Sequence, residues 1–133
     1  MIVADTNIIT YLVIAGDKTE QARLVKGKDS TWMVPTLWQH EFINVLSTHV
    51  KNGILTIPQA KTAWTYSNRI LSQTTYEVDM ENALQFSIEQ KISAYDAQFI
   101  ILAKKLGCPL VTEDKKLHKT FAEAKSMQDF LAN

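Results

Sequence analysis

The sequence predicts an α/β protein, a three-layer α/β/α sandwich with a central parallel sheet. Three observations carry this reading. Short apolar runs alternate with longer stretches of helical periodicity along almost the whole chain. The runs are continuously apolar rather than alternating, as strands buried on both faces read. A residue that favours turns closes each run: Asp5 after "MIVA", Pro35 after "TWMV", and Glu113–Asp114 after "PLVT".

Each element follows from its own residues. "MIVA" is the first strand, and Thr6 or Asn7 is placed to cap a helix through "IITYLVIA", stopped by Gly16 and Asp17. "KTEQARLVKG" reads as a short helix closed by Gly27, and "TWMVP" as the second strand. Trp38, Phe42, Val45, Leu46 and Val50 recur at helical spacing up to Lys51, with Gly53 as a stop. Pro58 suits a first helical turn and opens a helix to about Leu71. "TTYEVD" is a short strand. "MENALQFSIEQK" is amphipathic, with Met80, Leu84 and Ile88 on one stripe. Ser93 caps a helix that Gly107 ends, and "CPLVT" is the next strand. The remaining residues hold one helical turn, a short edge strand and a last helix.

Composition bounds the function. With 133 residues, 46% hydrophobic and 21% charged, the chain suits one soluble domain, 1–133, with an ordinary core. No apolar run approaches the ~20 residues that cross a bilayer, and "MIVADTN" has no basic region or cleavage site, so a cytoplasmic protein is expected. Cys108 is alone, which removes disulfides and thiolate cages. His40, His49 and His118 have no mutual metal spacing. Fourteen basic residues balance fourteen acidic ones, so phosphate binding needs a local patch or bound cations. Lys104, Lys105, Lys115 and Lys116 are the sequence's candidates for phosphate contacts.

Four acids stand where their neighbours are apolar. Asp5 and Asp114 follow strands, hence the carboxyl edge of a parallel sheet, where ligands bind in such folds. Asp96 lies in the first turn of a helix, with Ile100 and Ala103 on its face. Glu41 is flanked by Leu37, Trp38 and Val45 at helical spacing. Half-buried carboxylates cost several kcal/mol unless neutralised, as order-of-magnitude figures. The only arginines, Arg23 and Arg69, are distant in sequence. A helix dipole offers about 0.3–1 kcal/mol to one acid and cannot serve four. A hard divalent cation can. Taken singly, each acid reads more simply as a turn, cap or surface residue; the pointer is their convergence on one sheet edge.

"MIVADTNIITYL", "VPTLWQHEFINVL" and "SAYDAQFIILAKKLGCPLVTEDKKL", in this order and spacing, resemble the PIN-domain ribonucleases, in particular the VapC-like toxins of type II toxin–antitoxin systems. The likeness spans nearly the whole chain. It implies a PIN-like sandwich whose site acids are Asp5, Glu41, Asp96 and Asp114, holding Mg²⁺ or Mn²⁺ for endonucleolytic cleavage of RNA that leaves a 5′-phosphate. Thr6, Asn7, Ser93 and Thr112 match the family's supporting positions. The resemblance further implies a cognate antitoxin whose tail lies in a groove, and a homodimer; "IITYLVIA" and the Pro58–Leu71 helix carry surplus apolar side chains that suit a partner. Two other functions compete: a PIN nuclease of RNA processing without an antitoxin, and a receiver-like acidic-pocket binding module. The last expects an acidic pair after the first strand and an Asp after a middle strand, and Thr6, Asn7 and "WMVP" supply neither.

Overall fold

The computed structural model describes residues 1–133. Five strands form one all-parallel sheet: β1 (Ile2–Ala4), β2 (Trp32–Pro35), β3 (Thr75–Tyr76), β4 (Leu110–Val111) and β5 (Ala124–Lys125). Their spatial order is β3-β2-β1-β4-β5. The chain builds outward from β1 on one side and then crosses to build outward on the other, so the order reverses between β1 and β4. That switch point is where a crevice opens beyond the carboxyl ends of the strands.

Helices cover both faces. α1 (Thr6–Val13), α2 (Thr19–Lys28), α3 (Leu37–Lys51), α4 (Ile57–Leu71) and the terminal α8 (Met127–Ala132) share one apolar core with Ile2, Ala4, Trp32, Val34 and Val111. α6 (Ala94–Leu106) and the short α7 (Lys115–Thr120) build a second core on Val3, Met33 and Leu110. Alternate residues of β1 thus serve opposite cores, as a strand buried on both faces must. α5 (Met80–Gln90) packs on α6 from outside. The first core centres on Trp38, fully buried and stacked on Trp64 with ring centroids 5.5 Å apart. Its indole N–H donates to Thr75 Oγ1 at 3.0 Å, which satisfies the one polar atom the ring carries inward.

Several local expectations are corrected. Asp5, not Thr6 or Asn7, is the N-cap of α1: its backbone is extended and its carbonyl accepts from Ile8 and Ile9. Strand β1 therefore passes into α1 with no intervening loop. Gly27 lies inside α2, which runs one residue further to a cap at Asp29, its last turn carrying Lys26 and Lys28 against the helix dipole. α4 starts at Ile57 because Thr56 and Gln59 close a reciprocal capping box. The stripe of Met80, Leu84 and Ile88 faces solvent, 64%, 59% and 68% exposed; Ala83 and Ser87 turn inward instead. Small residues let α5 approach α6 closely, and that closeness outweighs the longer apolar side chains on the other face. Ser93 caps α6 as expected, its Oγ accepting from the Asp96 amide at 3.0 Å, and Gly107 ends the helix at φ 65°, where a side chain would be strained.

Candidate functional site

Beyond the carboxyl ends of β1 and β4 lies an open cleft of about 540 Å³ with polar walls. Asp5, Glu41, Asp96 and Asp114 all line it, together with Thr6 and Asn7. Each acid arrives on a different element. Asp5 is the residue between β1 and α1, where the chain turns out of the sheet. Glu41 stands one turn into α3, and Asn44 and Val45, three and four residues on, continue its face into the cleft. Asp96 is in the first turn of α6, held there by the Ser93 cap and by the buried Ile100 and Ala103 below it. Asp114 caps α7, its Oδ1 accepting from the Leu117 amide at 3.1 Å.

Two threonines fix the innermost acids. Thr112, wholly buried, donates its hydroxyl to Asp5 Oδ2 at 2.7 Å and accepts from the Asp114 amide at 3.2 Å. One side chain therefore sets the spacing of two site acids. Thr6 Oγ1 donates to Glu41 Oε1 at 2.7 Å and ties α1 to α3. Ser93 and Thr112 stand behind the cleft wall rather than in it. On Glu41 and Asp114 one carboxylate oxygen is engaged and the other makes no protein hydrogen bond.

The electrostatics record a shortage of positive charge. Burial raises the Asp5 carboxyl above its usual range; the Thr112 hydroxyl and the amides of Thr6 and Asn7 work against the rise, and Asp96 adds to it. Glu41 is raised first by burial and then by Asp5 and Asp96, against the Thr6 hydrogen bond. Asp96 is raised by burial and by Asp114, while Ser93 and Lys116 oppose it. These carboxyls sense one another, yet no three acidic or histidine side chains close to the spacing that coordinates a metal ion. Mutual repulsion of uncompensated carboxylates favours such spreading.

Sequence reading missed several neighbours. Tyr11, Lys18, Asn44 and Glu113 also line the cleft. Asn44 and Tyr11 could have been found by helical spacing from Glu41 and Asn7; nothing in the sequence marks Lys18. His118 is half-buried, and its Nε2 donates to the Thr112 carbonyl and pins the segment that carries Asp114. Of the lysines singled out for phosphate, Lys104 is paired with Glu123 at 2.6 Å beside a separate hollow near Cys108. Lys116 of that set acts on Asp96, opposing the rise of its carboxyl.

Fold and cleft together define an α/β sandwich protein with an acidic site at the switch point of a parallel sheet. The chain belongs to the PIN domain family, whose model matches residues 2–122. It is similar to a protein of Pyrobaculum aerophilum named Ribonuclease VapC3, with 25% identity over 124 residues, 90% of this chain and 94% of that one. Its fold is similar to the crystal structure of PAE2754, also from Pyrobaculum aerophilum, at a TM-score of 0.79 and 17% identity, covering 98% of this chain and 86% of the other. No helix is long and apolar enough to cross a membrane.

Proposed function

We propose that this protein is a metal-dependent endoribonuclease, the toxin of a toxin–antitoxin pair, working as one domain in the cytoplasm. The observation that carries the reading is the convergence of Asp5, Glu41, Asp96 and Asp114 from four separate elements on one open cleft. The kinship with the PIN family and with a protein named as a ribonuclease supports it.

The donor set fits a hard divalent cation, Mg²⁺ or Mn²⁺: every candidate ligand is a carboxylate, and free oxygens remain on Glu41 and Asp114. Asp5 and Asp96 would hold the ion, with Glu41 and Asp114 completing the set directly or through water. When bound, the ion supplies an acidified water and offsets charge on the phosphate. Thr112 and Thr6 each hold one oxygen of an inner carboxylate in fixed orientation. One site carboxylate would orient the attacking water and take its proton. The product end is a 5′-phosphate.

The groove for an antitoxin segment is a hollow of about 920 Å³ between α1, α2 and α4. Leu12, Ile14, Leu55 and Ala63 make it apolar, and Arg23 and Lys26 stand at its side, which suits an amphipathic acidic segment. The exposed stripe of Met80, Leu84 and Ile88 is the apolar surface available to a homodimer.

Purified protein incubated with structured and tRNA-like RNAs should cut them in Mg²⁺ or Mn²⁺, stop with EDTA, and lose cleavage on Asp5→Asn. Cleavage that persists in EDTA would overturn the metal assignment. Growth arrest on expression, relieved by the product of a neighbouring small gene, separates a toxin from an RNA-processing nuclease.

A further inference from the structure

Five carboxylates line the acidic cleft, since Glu113 joins the four site acids, and Lys18 is the single basic side chain among its lining residues. With all five ionised, one divalent cation and one ammonium still leave two negative charges facing any phosphate that enters. Entry of RNA therefore depends on every cation the cleft holds, and the protein's own contribution is Lys18.

Its placement is built. The residues between α1 and α2 form a tight turn in which the buried Thr19 hydroxyl accepts from the Gly16 amide at 2.9 Å and donates to the Ile14 carbonyl at 3.2 Å. Lys18 stands immediately before that anchor. Its ammonium lies 5.1 Å from the centre of the Tyr11 ring, within cation–π range. On the other side it lies 3.8 Å from Glu113 Oε2, whose partner oxygen accepts from the Met127 amide at 2.8 Å. The Lys18 side chain remains 45% exposed, so the ammonium is positioned but open to a ligand. An exposed pair at this separation stabilises the fold little. A phosphate oxygen can displace or share the Glu113 contact without cost to the fold.

We infer that Lys18, steadied by Tyr11 and Glu113, is the cleft's own contact to the RNA backbone, binding a phosphate beside the bond to be cut. The inference rests on the ribonuclease reading and extends it to how a chain of zero net charge holds its substrate. Lys18 is a substrate-binding residue here. Glu113 is a positioning residue that parks the ammonium and competes with phosphate for it.

The test compares wild type, Lys18→Gln, Lys18→Arg and Glu113→Gln on single-stranded RNA in Mg²⁺ between about 50 and 200 mM salt. Cleavage gives KM and kcat, and anisotropy of a labelled 12-nucleotide RNA gives binding. Lys18→Gln should raise KM about tenfold with kcat within about twofold. It should also flatten the dependence of log affinity on log salt by about 0.7, the share of one single-strand phosphate. Lys18→Arg should restore both. Glu113→Gln keeps an oxygen for the Met127 amide and frees the ammonium, so KM should fall severalfold. A merely structural ion pair would instead move both variants the same way and lower the melting temperature. Wild-type KM and salt slope in Lys18→Gln, in an enzyme that cuts, would overturn the role of Lys18 and leave the nuclease standing. Absence of cleavage with RNA binding that still depends on Lys18 would remove the nuclease reading and keep the phosphate contact. Absence of both would remove both.

Discussion

Thr112→Val isolates the hydroxyl that links two site acids. Valine keeps the shape of threonine in a wholly buried position but removes the donor to Asp5 Oδ2 and the acceptor for the Asp114 amide. A hydrogen bond to an ionised group is worth about 1.5–3 kcal/mol. The Asp114 amide lies beside solvent and recovers most of its loss from water. Where Asp5 is ionised the expected cost in EDTA is therefore about 2–3 kcal/mol, or a fall of roughly 6–12 °C in melting temperature for a chain of this length. The cost should depend on pH. Asp5 already holds its proton more tightly folded than unfolded, and losing the Thr112 donor tightens it further. The folded state then keeps a proton that the unfolded chain has released, so stability falls as pH rises from the unfolded value of 3.8 through the raised folded value. Above that value the full gap between wild type and Thr112→Val appears. Below 3.8 a protonated Asp5 leaves only a neutral hydrogen bond to lose, about 1 kcal/mol. Urea denaturation from about pH 4 to about pH 9, with Thr112→Ser as the rescue, measures the gap. A gap below about 0.5 kcal/mol throughout that range, or one that does not narrow towards pH 4, would refute the reasoning.

Three other outcomes are expected. In EDTA at pH 7, Asp96→Asn should raise the melting temperature, because burial and Asp114 disfavour the charge it removes, while in Mg²⁺ its cleavage falls at least a hundredfold; an unchanged rate in Mg²⁺ would remove Asp96 from the site. Mg²⁺ at about 100 times its dissociation constant should stabilise wild type by about 2.7 kcal/mol, and Asp5→Asn should lose most of that gain in a thermal titration. Lys91 ends α5 in a left-handed conformation at φ 56°, so Lys91→Gly should add about 1 kcal/mol by chemical denaturation; destabilisation would mean that its side chain holds a contact the backbone term does not cover.

Much of this fold was legible because burial on both sides of a parallel strand leaves an unmistakable apolar run. β1, β2 and β4 were each read from four or five residues, and so was the carboxyl edge where Asp5 and Asp114 stand. Caps were less legible where three polar residues compete: Asp5, Thr6 and Asn7 can all open a helix, and only the extended backbone at Asp5 decided among them. The α5 stripe misled because periodicity reports that a helix has an apolar face, not which neighbour covers it. Here the close approach of Ala83 and Ser87 to α6 took the inner side and left Met80, Leu84 and Ile88 outside.

By itself the sequence determined which residues could carry chemistry. Asp5, Glu41, Asp96 and Asp114 stand among apolar neighbours that fix the backbone beneath them, and that is a local property of each segment. Only the tertiary structure decided their company. Strand order β3-β2-β1-β4-β5 brings β1 beside β4 and so sets Thr112 against Asp5, 107 residues away. The same packing swings the turn after α1 over the cleft and delivers Lys18 to Glu113. Such pairings depend on long-range contact between elements, and no spacing along the chain encodes them. The acids were written in the sequence, and the cation that faces them came from the fold.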